Sequence, residues 1–151
     1  AVLGAGGAAR AALWGLAKEG ARLTLFARDV TKAATVAEKF GAACAQLDGA
    51  SFDGFDLVVN ATPLGTRGAH EDETPALAAQ LRGARLAYDL VYNPAETRFL
   101  REAVAAGCDT LGGLPMLVAQ AAEQFRLWTG RKAPADVMRE TARRVLASVV
   151  L

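Results

Sequence analysis

Near the start of the chain, Gly4-x-Gly6-x-x-Ala9 stands between a short apolar run, Ala1-Val2-Leu3, and a stretch of helical periodicity from Ala8 to about Glu19. These residue types at this spacing suit a pyrophosphate. Gly4 allows a tight turn, Gly6 lets the backbone approach a phosphate, and Ala9 is small enough for close packing of helix on strand. The N-terminus of the helix offers N–H groups and a partial positive charge to the same ligand. The competing reading is a glycine-rich turn that only packs. The strand–loop–helix–strand context, running on to Ala27, argues against it. A second cluster, Ala27-Arg28-Asp29-Val30-Thr31-Lys32, follows the next apolar run. Dinucleotide sites carry an acidic residue there for the ribose hydroxyls or a basic one for a 2′-phosphate. Arg28 and Lys32 can clamp a phosphate, Arg through a planar fork and Lys as a point charge. Asp29 can pair with a base and weaken that clamp, or accept from the ribose and admit NAD. A solvated surface cluster is the third reading. The two bases favour NADP as the cofactor, with NAD left open.

The surrounding pattern must supply a scaffold. Arg22–Ala27 reads as a strand, Val30–Phe40 as a helix stopped by Gly41, Ala43–Leu47 as a short strand, and Asp56–Asn60 as a strand with the continuous apolar run of a sheet covered on both faces. In the first helix, Ala8, Ala12, Leu13 and Leu16 fall on one apolar face. A polar loop occupies 62–75, a short helix follows Pro75, and Leu86–Val91 is a further strand. Asn93-Pro94-Ala95-Glu96 predicts a helix start, with Asn93 as cap, Pro94 at the first helical position and Glu96 completing a capping box. That helix ends near Gly107, and Leu111 closes a last strand. Helices follow at Pro115–Thr129 and about Ala135–Val149, split by Gly130 and Pro134. Alternation of strands and helices predicts an α/β fold with a Rossmann-like, doubly wound parallel sheet and two C-terminal helices. The expected organisation is a nucleotide-binding domain over 1–113 and a helical segment over 114–151.

Composition removes several classes. The chain has 151 residues, 52% hydrophobic and 22% charged, which excludes a disordered chain. No apolar run approaches the roughly 18–20 residues of a membrane span, so no membrane partner is expected. Seventeen Lys and Arg against sixteen Asp and Glu leave a charge of +1 and no basic stripe, which argues against nucleic acid as a partner. Cys44 and Cys108 form no metal spacing with His70, the one histidine, so no metal site is expected and a reduced, cytoplasmic protein is the simplest reading. The opening Ala-Val-Leu-Gly, without Met, reads as the end of a buried strand, and the chain is expected to begin within a longer protein.

Five segments in order resemble the C-terminal, nucleotide-binding half of shikimate dehydrogenase: Gly4–Ala9 with Arg10, Ala27–Lys32, Asn60-Ala61-Thr62-Pro63-Leu64-Gly65, Tyr88-Asp89-Leu90-Val91-Tyr92-Asn93-Pro94, and Gly113-Leu114-Pro115-Met116-Leu117-Val118-Ala119-Gln120-Ala121-Ala122. The likeness extends over nearly the whole chain. Ala27, Asp29 and Thr66 stand where the family usually has Asn, Thr and Met. The resemblance implies a reversible, NADP-dependent reduction of 3-dehydroshikimate to shikimate on the route to aromatic amino acids. It assigns the pyrophosphate to Gly4, Ala5, Gly6, Gly7 and Ala8, the ribose and 2′-phosphate to Ala27, Arg28, Asp29 and Lys32, and the nicotinamide side to Thr62, Leu90 and Gly113. Tyr92 and Gln120 match positions that bind shikimate. Taken alone, a helical Gln is more often exposed and a Tyr after a strand more often a packing residue.

In the family, the Lys and Asp of the catalytic pair lie in an upstream substrate domain of roughly a hundred residues. Lys18, Lys32, Lys39 and Lys132 fall in no comparable motif. The resemblance therefore implies no catalytic residue in this chain, a nucleotide bound without turnover, and an N-terminal substrate domain of the same protein as partner. The apolar face of Leu114–Trp128 is expected to be partly exposed. Association of two copies stays open, as does fusion to another enzyme of the pathway. Two other functions remain: an NAD-using quinate/shikimate dehydrogenase, which Asp29 supports and Arg28 with Lys32 opposes, and a non-catalytic nucleotide-sensing module. Other residues carry no case for chemistry. His70 reads as solvated, Cys44 and Cys108 as small buried hydrophobes, Trp14 and Trp128 as packing residues, and Arg139, Arg143 and Arg144 with Glu140 as a solvated helix face.

Overall fold

The computed structural model describes residues 1–148. Six strands form one parallel sheet: β1 Val2–Leu3, β2 Thr24–Ala27, β3 Ala43–Gln46, β4 Leu57–Asn60, β5 Leu86–Asp89 and β6 Asp109–Leu111. Their order across the sheet is β3-β2-β1-β4-β5-β6, so the chain winds one way from β1 and then reverses at the β1–β4 pair. Six helices connect or follow them: α1 Gly7–Lys18, α2 Val30–Lys39, α3 Ala78–Leu81, α4 Arg98–Ala105, α5 Leu114–Thr129 and α6 Ala135–Ser148. This is the doubly wound α/β arrangement expected. Val149, where the last helix was expected to end, lies outside the described residues.

The period-two alternation of each strand sorts its side chains into two cores. Leu3, Phe26, Val58 and Ala87 point to the face covered by α3 and α4, with Leu81, Phe99, Leu100 and Ala103. Val2, Leu25, Ala27 and Val59 point to the other face, where α1 and α2 contribute Ala9, Leu13, Ala33 and Val36. On the first face, Phe26, Phe52 and Phe55 meet edge to face, with centroids 5.1 to 6.2 Å apart. The glycine stops are as expected: Gly20, Gly41, Gly107 and Gly130 all take positive φ after a helix.

Several expectations need correction. Ala8 is exposed, and the buried face of α1 is set by Ala9 and Leu13. α4 opens at Arg98, capped by the Thr97 hydroxyl, which accepts from the Leu100 N–H. Asn93 does not cap it; its carbonyl accepts from the Arg67 N–H instead. Trp14 and Trp128 do not pack into a core: they are 56% and 80% exposed, and Lys18 lies over the Trp14 ring. Cys108 is buried, whereas Cys44 is only half-buried. α5 and α6 pack on each other, and α5 buries Val118. Leu127 and Trp128 remain exposed on α5, in keeping with the partial exposure expected of the Leu114–Trp128 face, and Val137 and Val145 are exposed on α6. No helix among the described residues is long and apolar enough to cross a membrane.

Candidate functional site

All six strands run the same way, so their carboxyl ends share one edge of the sheet. In open α/β sheets that edge, at the reversal of strand order, is where ligands bind. Here the reversal falls between β1 and β4, and two loops meet across it. The Gly4 N–H donates to the Phe26 carbonyl at 2.8 Å, tying the glycine loop to the end of β2. Gly4 takes φ +99, and a Cβ there would lie 3.0 Å from Thr62 Cγ2 and 3.2 Å from the Ala61 carbonyl oxygen. Only glycine suits both the conformation and the contact.

Gly6 and Gly7 have open space where a side chain would be, and both are exposed. Gly6 is the N-cap of α1; no side chain caps this helix and its first turn holds no acidic residue. The positive end of α1 therefore faces an open cradle that can take an anionic group. Ala9 is fully buried beneath it, at the contact of helix and sheet.

Beyond β2, Arg28 is exposed and its carbonyl accepts from Gln46 Nε2. Asp29 is the N-cap of α2, accepting from the Lys32 N–H at 3.0 Å. The same carboxylate pairs with Lys32 Nζ at 3.0 Å. The backbone and side-chain bonds from Lys32 hold the Asp29 carboxyl below its ordinary range. Asp29 and Lys32 are thus brought together, with Arg28 exposed next to them in the chain, and Asp29 is paired with a base, one of the two alternatives read for it.

Across the reversal, the β4 and β5 loops are built on buried polar groups. Asn60 Oδ1 accepts from the Thr62 N–H at 3.0 Å and the Thr62 hydroxyl at 2.6 Å, and Asn60 Nδ2 donates to the Leu64 carbonyl. Asp89 and Thr97 are fully buried beside it. Burial pushes the Asp89 carboxyl up, and the bonds it accepts from Thr97, Val91 and Asn60 work against that. Leu90 follows directly and meets Gly113 backbone to backbone. A Cβ at Gly113 would lie 2.6 Å from the Leu90 and Val91 carbonyl oxygens.

Leu90 and Gln120 line one apolar groove of about 490 Å³, with Ala8, Ala12, Tyr88 and Met116. Tyr92, 41% exposed, is not part of that lining. His70 is far from bare: its Nδ1 lies 2.8 Å from Glu73 Oε1 on an exposed loop. Among the described residues no group of His, Cys, Asp and Glu is arranged to hold a metal.

Sequence reasoning gave no role to Asn60, Asp89 or Thr97. The signal was present in part: Leu57-Val58-Val59-Asn60 and Leu86-Ala87-Tyr88-Asp89 each end a central strand on a polar residue, and a polar group buried there needs a partner. That the partners are each other depends on register, Asn60 opposite Asp89, which one sequence does not print.

A family model described as the shikimate 5′-dehydrogenase C-terminal domain matches residues 113–143. The shikimate dehydrogenase (NADP(+)) of Oleidesulfovibrio alaskensis is 47% identical over 150 residues, 97% of this chain and 54% of that protein. The enzyme of the same name from Methanocella arvoryzae is 44% identical over 152 residues, 96% of this chain and 55% of that protein. Among solved structures, shikimate 5-dehydrogenase of Thermus thermophilus, in complex with NADP(H) and shikimate, superposes with a TM-score of 0.84 at 42% identity, covering 95% of this chain and 53% of that one. The chain spans about half the length of the curated relatives it matches.

Proposed function

We propose that this chain, which belongs to the shikimate dehydrogenase family and corresponds to its C-terminal domain, is the NADP-holding half of an enzyme that reversibly reduces 3-dehydroshikimate to shikimate. The observation that carries the reading is the 47% identity over nearly the whole chain to a protein named for that reaction. The geometry of the sheet edge supports it. The open cradle at Gly6 and Gly7, uncapped by any side chain, fits a pyrophosphate. Two exposed cations beyond β2 fit a 2′-phosphate.

On this reading Gly4–Ala8 hold the pyrophosphate, and Ala27, Arg28, Asp29 and Lys32 surround the ribose and its 2′-phosphate. Thr62, Leu90 and Gly113 border the nicotinamide, and Tyr92 and Gln120 reach the substrate. When bound, the nicotinamide supplies the hydride. What this chain contributes is binding and orientation: the β4 and β5 loops would hold the nicotinamide. Gln120 offers a donor and an acceptor to a polyhydroxylated ring, and Tyr92 a hydroxyl with an apolar face. The proton needed on reduction comes from a general acid on the upstream half. The division at residues 113 and 114, a cytoplasmic location and action on a small molecule belong to the same reading. Asp29 is the residue that would favour NAD; its carboxylate is engaged by Lys32 and by the N-terminus of α2, an exposed pair that draws Asp29 from a ribose and Lys32 from a phosphate alike, so the reading of NADP leans on Arg28 and on the relatives named for it.

The test is turnover by the full-length protein with 3-dehydroshikimate and either NADPH or NADH. Oxidation of NADPH, preferred over NADH by at least about tenfold, is expected, a preference of the size one clamped phosphate gives. No oxidation of either cofactor sinks the reading, and equal use of the two leaves a quinate/shikimate enzyme using NAD as its replacement.

A further inference from the structure

Three side chains among the described residues are polar and fully buried, Asn60, Asp89 and Thr97, and all three belong to one network. Asp89 Oδ1 accepts from Asn60 Nδ2 at 3.0 Å and from the Val91 N–H at 2.9 Å. Its Oδ2 accepts from the Thr97 hydroxyl at 2.5 Å. Thr97 Oγ1 in turn accepts from the Leu100 N–H, and Asn60 Oδ1 accepts from Thr62. One carboxylate therefore joins the loop after β4, the loop after β5 and the first turn of α4.

The sheet does not need this network for its own pairing. β4 and β5 are held by their backbone ladder, which reaches to the Leu90 N–H donating to the Asn60 carbonyl. An apolar pair of similar volume at Asn60 and Asp89 would fill the same space without desolvating a carboxylate. Every bond the carboxylate makes beyond the ladder goes to a segment the ladder cannot reach: Thr62 by way of Asn60, Val91 directly, and the start of α4 by way of Thr97.

We infer that Asp89 is a positioning residue for the reaction, holding the β4 and β5 loops in one mutual geometry so that Thr62, Leu90 and Tyr92 meet nicotinamide and substrate correctly. The inference rests on the functional reading above. It assigns to Asp89 no contact with cofactor or substrate. Its effect passes through the backbone of residues 90–92 and the side chain of Asn60. Among the described residues, the adenosine side of the cleft, at Arg28 and Lys32, has its side-chain bond within the Asp29–Lys32 pair and outside the network.

That separation makes the inference testable in the full-length protein. Thr97→Val keeps the shape of the side chain and removes both the donor to Asp89 and the cap acceptor, while Thr97→Ser keeps both. The probes are turnover of 3-dehydroshikimate with NADPH and the affinity of 2′,5′-ADP, which reports the adenosine half alone. For Thr97→Val, kcat is expected to fall by about tenfold or more, as small misplacements of a bound group do, with 2′,5′-ADP affinity held within about twofold and Thr97→Ser close to the parent. A merely structural role would lower kcat and 2′,5′-ADP binding together, in step with the folded fraction, and would overturn the inference. So would parental kcat in Thr97→Val, with the functional reading left standing. Asp89→Asn, which keeps Oδ1 as an acceptor, is measured alongside, so that poor folding of one variant leaves the other to decide. Loss of 2′,5′-ADP binding in both makes the network a folding element and overturns the inference. A parent without turnover overturns the functional reading and this inference with it.

Discussion

At the carboxyl end of β2 the polar groups stand in water. The Lys32 side chain is 87% exposed and Arg28 is exposed beside it, and the Asp29–Lys32 pair lies on the surface. At the carboxyl ends of β4 and β5 the polar groups are sealed: Asn60, Asp89 and Thr97 have no exposure, and none of their buried atoms lacks a partner. The first region presents charge on flexible side chains. The second presents backbone, held in place by side chains that have no exposed surface. Substitutions in the first should therefore change which cofactor binds and leave the fold alone, whereas substitutions in the second should change folding or turnover and leave cofactor selectivity alone.

The largest effect expected is from Gly113→Ala. The added methyl would press on two carbonyl oxygens of a backbone that cannot swing aside. A loss of about 3 kcal/mol is expected, at the upper end for overpacking, read from the urea midpoint of the full-length protein. A midpoint within experimental error of the parent would mean that the Leu90–Gly113 contact gives easily, and the contrast between the two regions would fail. Next is Arg28→Ala. Removing one charge-assisted bond to a phosphate is worth about 1.5–3 kcal/mol, so NADP⁺ affinity should drop about ten- to a hundredfold. NAD⁺ affinity and the urea midpoint should stay put. Calorimetric titration decides it, and an equal loss for both nucleotides would remove the 2′-phosphate from this region.

A smaller change is expected from Asp29→Ser, which retains a capping oxygen for α2 and frees Lys32. An exposed pair contributes little, so NADP⁺ should bind more tightly by about fivefold at most. Weaker binding would show that Asp29 helps to hold the ribose. The smallest effect is a pH dependence in the sealed region. The Asp89 carboxyl is raised by burial above its unfolded value of 3.8, so between those two values the folded protein binds more protons than the unfolded one. Relative to Asp89→Asn, the parent should gain stability as pH falls through the raised value and lose it again as pH rises. Urea midpoints of the two proteins from neutral pH downwards test this. A constant difference would mean that the three bonds accepted by the carboxylate fully offset its burial.

The two regions were not equally readable in the sequence. Charged residues after a strand announce themselves by type, so Arg28, Asp29 and Lys32 could be singled out one by one. The glycine loop was readable because only glycine serves at Gly4, where the backbone turns and nearly touches Ala61. Strand cores were readable from alternation, and helix ends from Gly20, Gly41, Gly107 and Gly130. The start of α4 was misplaced because Asn93-Pro94 carries a strong local helix-start signal, whereas the cap that forms, Thr97, is also committed to Asp89 eight residues earlier in the chain. Local signals do not register such a long-range bond. Ala8 was placed on one apolar face with Leu13, and a run of alanines leaves the phase of a helix nearly free; packing on the sheet buries Ala9 and leaves Ala8 exposed at an apolar groove. The exposure of Trp128 has the same origin: periodicity marks an apolar face without saying what will lie against it.

The contact at Gly113 also has a mechanical side. α5 is 16 residues long, about 24 Å of stiff rod, and it starts where Gly113 is wedged against the Leu90 and Val91 carbonyls, with the Gly113 N–H donating to Val91 at 3.2 Å. A rod clamped at one end works as a lever. Any load on its far end, where Leu127 and Trp128 face outward, is delivered as torque to the two residues that lead into Tyr92. The long arm lies outside the cleft and the short arm within it, so a tilt of several ångströms at Trp128 becomes a fraction of that at Leu90. The backbone wedge at Gly113 is the fulcrum of that lever.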